Sequence, residues 1–288
     1  ETKRVFLTFD DGPSRTVTPV VLDTLKSENI KATFFLLGSR VELDPDLVKR
    51  EYDEGHYIAS HGYSHVYSQI YATPQSVLDE YNKSVTAIRN AIGMPDYNPH
   101  LFRFPGGYWG GKYASIKTEA LTLLNENNIA HIDWNALTSD AAGAKTTEEF
   151  IAELDKTVPK HNSVVVLMHD AGNKQATANA LPTMIKYFRD QGFEFENFYK
   201  WALSSGYKEN LTIDRIDVNK DYSPENCRWA TTKQQARNKR TSVFITYKGE
   251  TKVLKDWAIE YKIDSSTLKG RISRGWRIED ALTKPVKK

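Results

Sequence analysis

Asp10 and Asp11 stand side by side at the end of the apolar run Val5-Phe6-Leu7-Thr8-Phe9, and Gly12-Pro13 breaks that run at once. The run has strand composition. Two carboxylates at the end of a buried strand repel each other unless a metal engages one or a cation stands near the other. A solvated turn is the plain alternative, and the hexapeptide alone does not choose between them. His61 and His65 are four residues apart. On one helical turn that spacing lets both imidazoles reach a single ion. Joined by an aspartate from another strand end, they form a two-histidine, one-carboxylate set with open coordination positions. That is the pattern of a catalytic zinc-type site rather than a closed structural one.

Something must bring these residues together, and the hydrophobic pattern supplies it. Strand-like runs at 5–9, 32–37, 56–60, 102–104, 129–134, 163–168 and 193–195 alternate with helix-like segments. The helical segments are 17–28, 45–54, 74–92, 112–127, 147–157 and 177–191. Such alternation predicts a mostly parallel, barrel-like sheet with its chemistry at the strand ends. Asp10, Asp11, His61, His65, Arg103, Asp133, Asp140, His169 and Asp170 all fall at or just after strand ends.

In this order the segments TFDDGP (8–13), HGYSH (61–65), RFPGG (103–107), DWNALTSD (133–140) and LMHD (167–170) resemble the five motifs of the polysaccharide deacetylases, the NodB-homology family. The resemblance covers about residues 4–195 and implies an α/β fold, a distorted (β/α) barrel. It also implies hydrolytic removal of acetyl groups from N-acetylated sugars such as peptidoglycan or chitin, with a divalent metal. Zinc is the usual ion and cobalt an alternative. Carried over by motif, Asp11, His61 and His65 hold the metal, and Asp10 is the base toward water that the metal acidifies. Arg103 pairs with Asp10, and Gly106 offers its N–H to the oxyanion. His169, oriented by Asp140, is the acid for the leaving amine, and Leu167 walls the acetyl pocket. Removal of O-acetyl groups from xylan or small esters is a second activity the same site would allow.

Three positions depart from the family pattern. Gly62 stands where Ser or Thr is usual, Gly106 where Tyr is common, and Ala141 where Trp is usual. Tyr108, Trp109 and Trp134 are near enough in sequence to replace the missing sugar-facing rings, although core packing is an equal use for such residues.

Beyond residue 196 the chain changes character. Residues 1–196 carry 19 Lys and Arg against 26 Asp and Glu; residues 197–288 carry 20 against 11. The later part resembles phage-type HNH homing endonucleases and their DNA-binding appendages. Its expected organisation is an HNH-like fragment at 197–240 and a helix-turn-helix-like segment at 241–288, together a small α+β region. Arg237, Lys239, Arg240, Lys269, Arg271 and Arg274 are the basic candidates for DNA contact. Cleavage is not expected: Asp214 is followed by Arg215 instead of His, and no histidine occurs after His169. Arginine stays protonated and is a poor base.

Composition sets the outer limits. No apolar run approaches the roughly 20 residues of a membrane helix. The single cysteine, Cys227, excludes an internal disulfide and a cysteine zinc cluster. The chain opens Glu1-Thr2-Lys3-Arg4 without a leader, the expectation for a processed secreted or cell-wall protein or an excised domain. A cytoplasmic location is the expectation if the DNA-binding tail dominates.

Overall fold

The computed structural model describes residues 2–197, 205–206, 211–217, 227–231, 234, 238 and 242–285. The first part runs β1 (Lys3–Asp10), α1 (Thr18–Ser27), β2 (Thr33–Leu36), α2 (Gly38–Leu43), α3 (Pro45–Asp53), β3 (Tyr57–Ser60), α4 (Tyr67–Ile70) and α5 (Pro74–Ile92). It continues with β4 (Leu101–Phe102), α6 (Ala114–Glu126), β5 (Ala130–His131), β6 (Ala136–Leu137), α7 (Thr147–Thr157), β7 (Ser163–His169), α8 (Gln175–Asp190) and β8 (Phe193–Phe195).

β1 is buried from Val5 onward, as a central parallel strand covered on both faces must be. β7 pairs with it along Arg4–Asp10, while β2 and β8 take its other edge at Thr8–Asp10 and Lys3–Val5. The main strand order is β5-β4-β3-β2-β1-β7-β6, all pairs parallel. Residues 132–135 join the two outermost strands of this path. Fully extended, that link reaches about 18 Å, whereas seven strands laid flat would hold their edges about 29 Å apart. The sheet therefore curls back on itself as a distorted barrel.

The crossing explains why one expected strand over 129–134 is instead two short strands on opposite edges. Asn135 fastens the end of this link to β7 with its side chain: Oδ1 accepts from Val165 N at 2.7 Å and Nδ2 donates to Ser163 O at 2.9 Å. The helices fall close to their expected spans. Thr73 caps α5 through Ser76 N, with Pro74 in the first turn, and Gly93 ends it at φ +71°. Val21, Leu22 and Leu25 of α1 and Leu181, Ile185 and Phe188 of α8 join the strand residues in one core, where Phe9 stacks on Phe34 at 5.2 Å.

Contacts divide the chain into a large unit reaching Thr212 and a smaller unit that includes everything from Asn226 onward. In the smaller unit β9 (Thr212–Arg215) pairs with β10 (Cys227–Ala230), and β11 (Phe244–Tyr247) with β12 (Glu250–Val253). Lys248 and Gly249, both at positive φ, form the two-residue turn between β11 and β12. Within the segment expected at 241–288, α9 (Leu254–Glu260) and α10 (Ser265–Ser273) follow β12, and α11 (Ile278–Thr283) comes after them. Their core is Ile245, Leu254, Trp257, Ala258, Leu268, Ala281 and Leu282.

Candidate metal and acid–base centre

Strand register delivers the site. Asp10, the last residue of β1, lies beside His169, the last residue of β7. Ser60 of β3 pairs with Phe102 of β4, so His61 and Arg103 leave adjacent strands together. With Leu137 of β6 beside Leu167 of β7, the five expected segments meet at the carboxyl ends of the sheet.

Asp11 and Asp10 separate their tasks through the backbone. Asp11 has φ +71°; Asp10 keeps Oδ1 on Arg103, with its Oδ2 3.8 Å from His61 Nε2. Asp11 Oδ1 is buried without a hydrogen-bond partner among the described residues. It lies 3.5 Å from His61 Nε2 and 3.4 Å from His65 Nε2. The three ligand atoms lie within 4.8 Å of one another. His61 Nδ1 is 2.8 Å from the Arg103 carbonyl. A carbonyl only accepts, so Nδ1 carries the proton and Nε2 presents its lone pair toward Asp11. Burial is the main reason the His61 pKa falls to about 3, which keeps the ring neutral. An orphaned carboxylate oxygen facing neutral imidazole nitrogen fits a divalent cation.

The histidine spacing predicts a helical turn, but residues 61–66 form an irregular loop. Gly62 at φ +84° and His65 at φ +57° turn the chain so that the two rings lie 5.4 Å apart. Glu80 of α5 braces this loop, which sequence reasoning did not foresee. Its Oε2 accepts from Tyr63 N at 2.6 Å and Ser64 N at 2.7 Å, and its Oε1 accepts from Ser64 Oγ at 2.7 Å. A Cβ at Gly62 would stand 3.0 Å from Ile70 Cδ1 and 3.3 Å from Glu80 Oε2. The glycine that departs from the family pattern therefore makes room for the carboxylate, which does the bracing that a hydroxyl at position 62 would do.

Arg103 is fully buried with four acceptors around it. Nη1 donates to Asp10 Oδ1 at 2.8 Å and Thr8 Oγ1 at 2.7 Å; Nε reaches Ile132 O and Nη2 reaches Asp133 O, both at 3.1 Å. Its guanidinium lies 4.0 Å from the centre of the Phe35 ring. Burial raises the Asp10 carboxyl above its ordinary value, and Arg103 and then His169 pull it back only in part. Arg103 therefore moderates Asp10 rather than dominating it. A carboxylate so raised accepts a proton more readily than an ordinary one.

Beside it, Asp140, in the segment after β6, pairs its Oδ1 with Nδ1 of His169, the last residue of β7, at 2.8 Å. Its Oδ2 accepts from His169 N at 2.9 Å and Thr177 Oγ1 at 3.0 Å. Burial opposes the charged imidazolium, but the Asp140 hydrogen bond and charge outweigh it, so the His169 pKa is raised. Burial likewise opposes the Asp140 carboxylate, and the bonds from His169 and Thr177 bring its pKa down.

The remaining expected residues surround this centre less uniformly. Gly106 is exposed at φ +73°. Trp134 and Leu167 are half-buried, and Trp134 packs over Gly107, where a Cβ would approach its ring to 3.0 Å. Tyr108 is tied down: its N–H donates to the Asp133 carboxylate at 3.0 Å and its ring lies 4.8 Å from that of His131. Trp109 is 59% exposed.

Asp170 is a buried neighbour whose role was not foreseen. Its Oδ2 accepts from Thr18 Oγ1 at 2.5 Å, its carbonyl accepts from Ser14 Oγ at 2.6 Å, and its N–H donates to Asp10 O at 3.2 Å. It fastens the loop after Asp11 to the end of β7. Burial is the main reason its pKa is pushed up to about 7. The signal in sequence was its place after His169 in LMHD, which says nothing of its partners.

The basic candidates of the tail divide. Arg237, Lys239 and Arg240 lie outside the described residues. Lys269 and Arg274 are exposed. Arg271 is not available for phosphates or base edges. It is buried, and its guanidinium donates to the carbonyls of Ala281, Lys284 and Pro285 at 2.7–3.0 Å.

A two-histidine, one-aspartate cluster beside a buried Asp–Arg pair and a buried His–Asp pair, at the carboxyl ends of a parallel barrel, is the layout of a metal-assisted hydrolase. Comparison with known proteins gives the family. The polysaccharide deacetylase profile matches residues 1–129. A peptidoglycan-N-acetylglucosamine deacetylase, PgdA, of Listeria monocytogenes is 37% identical over 74% of this chain and 41% of its own length. This chain thus spans less than half of that relative. A peptidoglycan-N-acetylglucosamine deacetylase of Bacillus cereus is 35% identical over 69% of this chain and 71% of its own. A Streptococcus mutans CE4 esterase structure superposes with TM-score 0.62 at 33% identity, covering 68% of this chain and 86% of that one. The chain belongs to the polysaccharide deacetylase family. The endonuclease resemblance of the tail gains no support from these relatives.

Proposed function

We propose that this chain is a metal-dependent deacetylase of N-acetylated polysaccharide, acting on N-acetylglucosamine units of the peptidoglycan or chitin type. The observation that carries this reading is the orphaned Asp11 oxygen facing His61 and His65, with Asp10–Arg103 on one side and His169–Asp140 on the other. The substrate class is supported by relatives named for peptidoglycan N-acetylglucosamine and, in a Bradyrhizobium protein, for chitooligosaccharide. Zinc is the proposed ion, since histidine nitrogen and a single carboxylate suit it. The cell wall or the extracellular space is the proposed place of action. A DNA partner for the tail rests on charge alone, and the inward turn of Arg271 weakens it.

Asp11, His61 and His65 would hold the ion. When bound, it supplies Lewis acidity toward water and the acyl carbonyl. Asp10 takes the proton of the attacking water, and Arg103 keeps the Asp10 carboxylate aimed at it. The Gly106 N–H donates to the oxygen that gains charge as water adds to the amide carbon. His169, held by Asp140 through its ring Nδ1 and its backbone N–H, gives its proton to the nitrogen as the C–N bond breaks. Acetate and a free amine leave. Leu167 and Trp134 supply the apolar wall against the acetyl methyl.

Acetate release from N-acetylchitooligosaccharides and from peptidoglycan, with chelator and with zinc restored, tests this reading. Zinc-dependent release supports it. Release untouched by chelation, or confined to acetylxylan and small esters, contradicts it.

A further inference from the structure

Tyr67 opens α4 two residues after His65, and its ring lies 5.5 Å from the His65 ring. The ring is held by neighbours that are themselves anchored. Tyr71 meets it edge-on at 5.8 Å and Tyr113 at 6.5 Å. Tyr71 donates its hydroxyl to Pro105 O at 2.6 Å, and Lys117, whose ammonium lies 5.0 Å from the centre of the Tyr71 ring, donates to Gly107 O at 2.5 Å. The Tyr67 ring thus packs against Tyr71, which is itself tied to the Pro105–Gly107 turn.

Its hydroxyl is placed for use. A Cβ on Gly106 would stand 2.5 Å from Tyr67 Oη and 3.1 Å from its Cζ. No side chain fits at position 106 while the phenol is there, and φ +73° already favours glycine. The hydroxyl makes no hydrogen bond among the described residues, and Tyr67 is 40% exposed. A rigidly held, unpaired O–H beside the Gly106 backbone and the His65 ring has a donor to offer to whatever binds there.

We infer that Tyr67 is a further catalytic residue: its hydroxyl donates to the acyl oxygen of the bound substrate, alongside the Gly106 N–H. This rests on the deacetylase reading and on Gly106 as an oxyanion donor. The pairing also explains the glycine. Where the third motif lacks its own tyrosine, a phenol from α4 fills the space that a side chain at 106 would occupy.

The test compares Tyr67→Phe with Tyr113→Phe in the zinc-loaded full chain, measuring kcat and KM on N-acetylchitooligosaccharide and the affinity for acetate by calorimetry. Loss of one oxyanion donor predicts a kcat lower by roughly 100- to 1,000-fold for Tyr67→Phe with KM within about twofold. Acetate binding should weaken in the same variant. Tyr113→Phe should change neither quantity by more than about twofold, because it keeps the packing. An unchanged kcat for Tyr67→Phe, or equal losses in both variants, overturns the inference. If the wild-type chain releases no acetate, the deacetylase reading fails by itself. The acetate affinities then still decide the role of Tyr67, and equal affinity in wild type and Tyr67→Phe overturns it. Gly106→Ala, which forces the phenol away, should reproduce the Tyr67→Phe loss.

Discussion

Asp10 and His169 are register partners on adjacent parallel strands, so one ladder position sets the proposed base beside the proposed acid. Their environments push them apart in function. Burial lifts the Asp10 carboxyl toward a range where it accepts protons, and Asp140 holds His169 in the charged form that donates them.

The first consequence is a pH dependence. As the proposed acid, His169 must be protonated to act, and its pKa is raised, with Asp140 overcoming the opposing effect of burial. Activity is therefore lost as pH rises through the His169 value. Asp140→Asn removes the raising charge and leaves burial, so the alkaline limb of kcat should move to lower pH by at least about one unit. An unmoved limb would show that His169 is not the acid. The pair also stabilises the fold. The histidine part is complete below its ordinary value of about 6.5 and fades as pH rises through the raised one. The aspartate part is complete above about 3.9 and fades as pH falls through the lowered one.

Glu80 touches no candidate ligand but fixes the loop that carries two of them. Glu80→Ala should weaken zinc affinity by roughly 10- to 100-fold, the usual effect of removing support behind a ligand. Glu80→Gln, which keeps one acceptor, should fall between that variant and wild type. Calorimetric zinc titration of the three proteins reads this, and identical affinities would remove Glu80 from the account.

Gly12 has a steric reason to be glycine. A Cβ there would come within 2.4 Å of Asp170 Oδ1, and Thr18 holds that carboxylate from its other oxygen. Gly12→Ala should destabilise the chain by about 1–3 kcal/mol. Combining it with Asp170→Ala should return much of that loss, measured by urea denaturation. Additive losses would mean that the two residues do not collide.

The barrel was legible because buried parallel strands read as short apolar runs and the helices keep their 3.6-residue period. The Pro74 start and Gly93 stop of α5 were on the page as letters. What escaped depended on contacts distant in sequence. Residues 129–134 read as one strand because nothing local says that the chain jumps from one sheet edge to the other. The His61–His65 spacing allows a helical turn, and the choice of an irregular loop is made by Glu80, fifteen residues beyond His65. The motif order placed the candidate ligands and acid–base residues, but Tyr67 and Asp170 have their meaning only through Gly106 and Gly12. In the tail, Arg271 counted as a surface cation because sequence shows its charge and not the three carbonyls that enclose it.

That burial has its own prediction. Arg271→Ala leaves those carbonyls without their charged donor, at a loss on the order of 2 kcal/mol or more. The smaller unit should become protease-sensitive in Arg271→Ala, whereas Arg274→Ala, on the exposed side, should leave it resistant. Equal resistance in both would put Arg271 back among the surface cations.

The central claim is that adjacent carboxylates divide the work, Asp11 on the ion and Asp10 on the proton. Acetate release by Asp10→Asn, with zinc content measured on the same sample, tests it most directly. The account predicts about one zinc per chain, as in wild type, and a kcat reduced by roughly 100-fold or more. Wild-type turnover in that variant, or loss of the zinc along with the activity, would contradict the division.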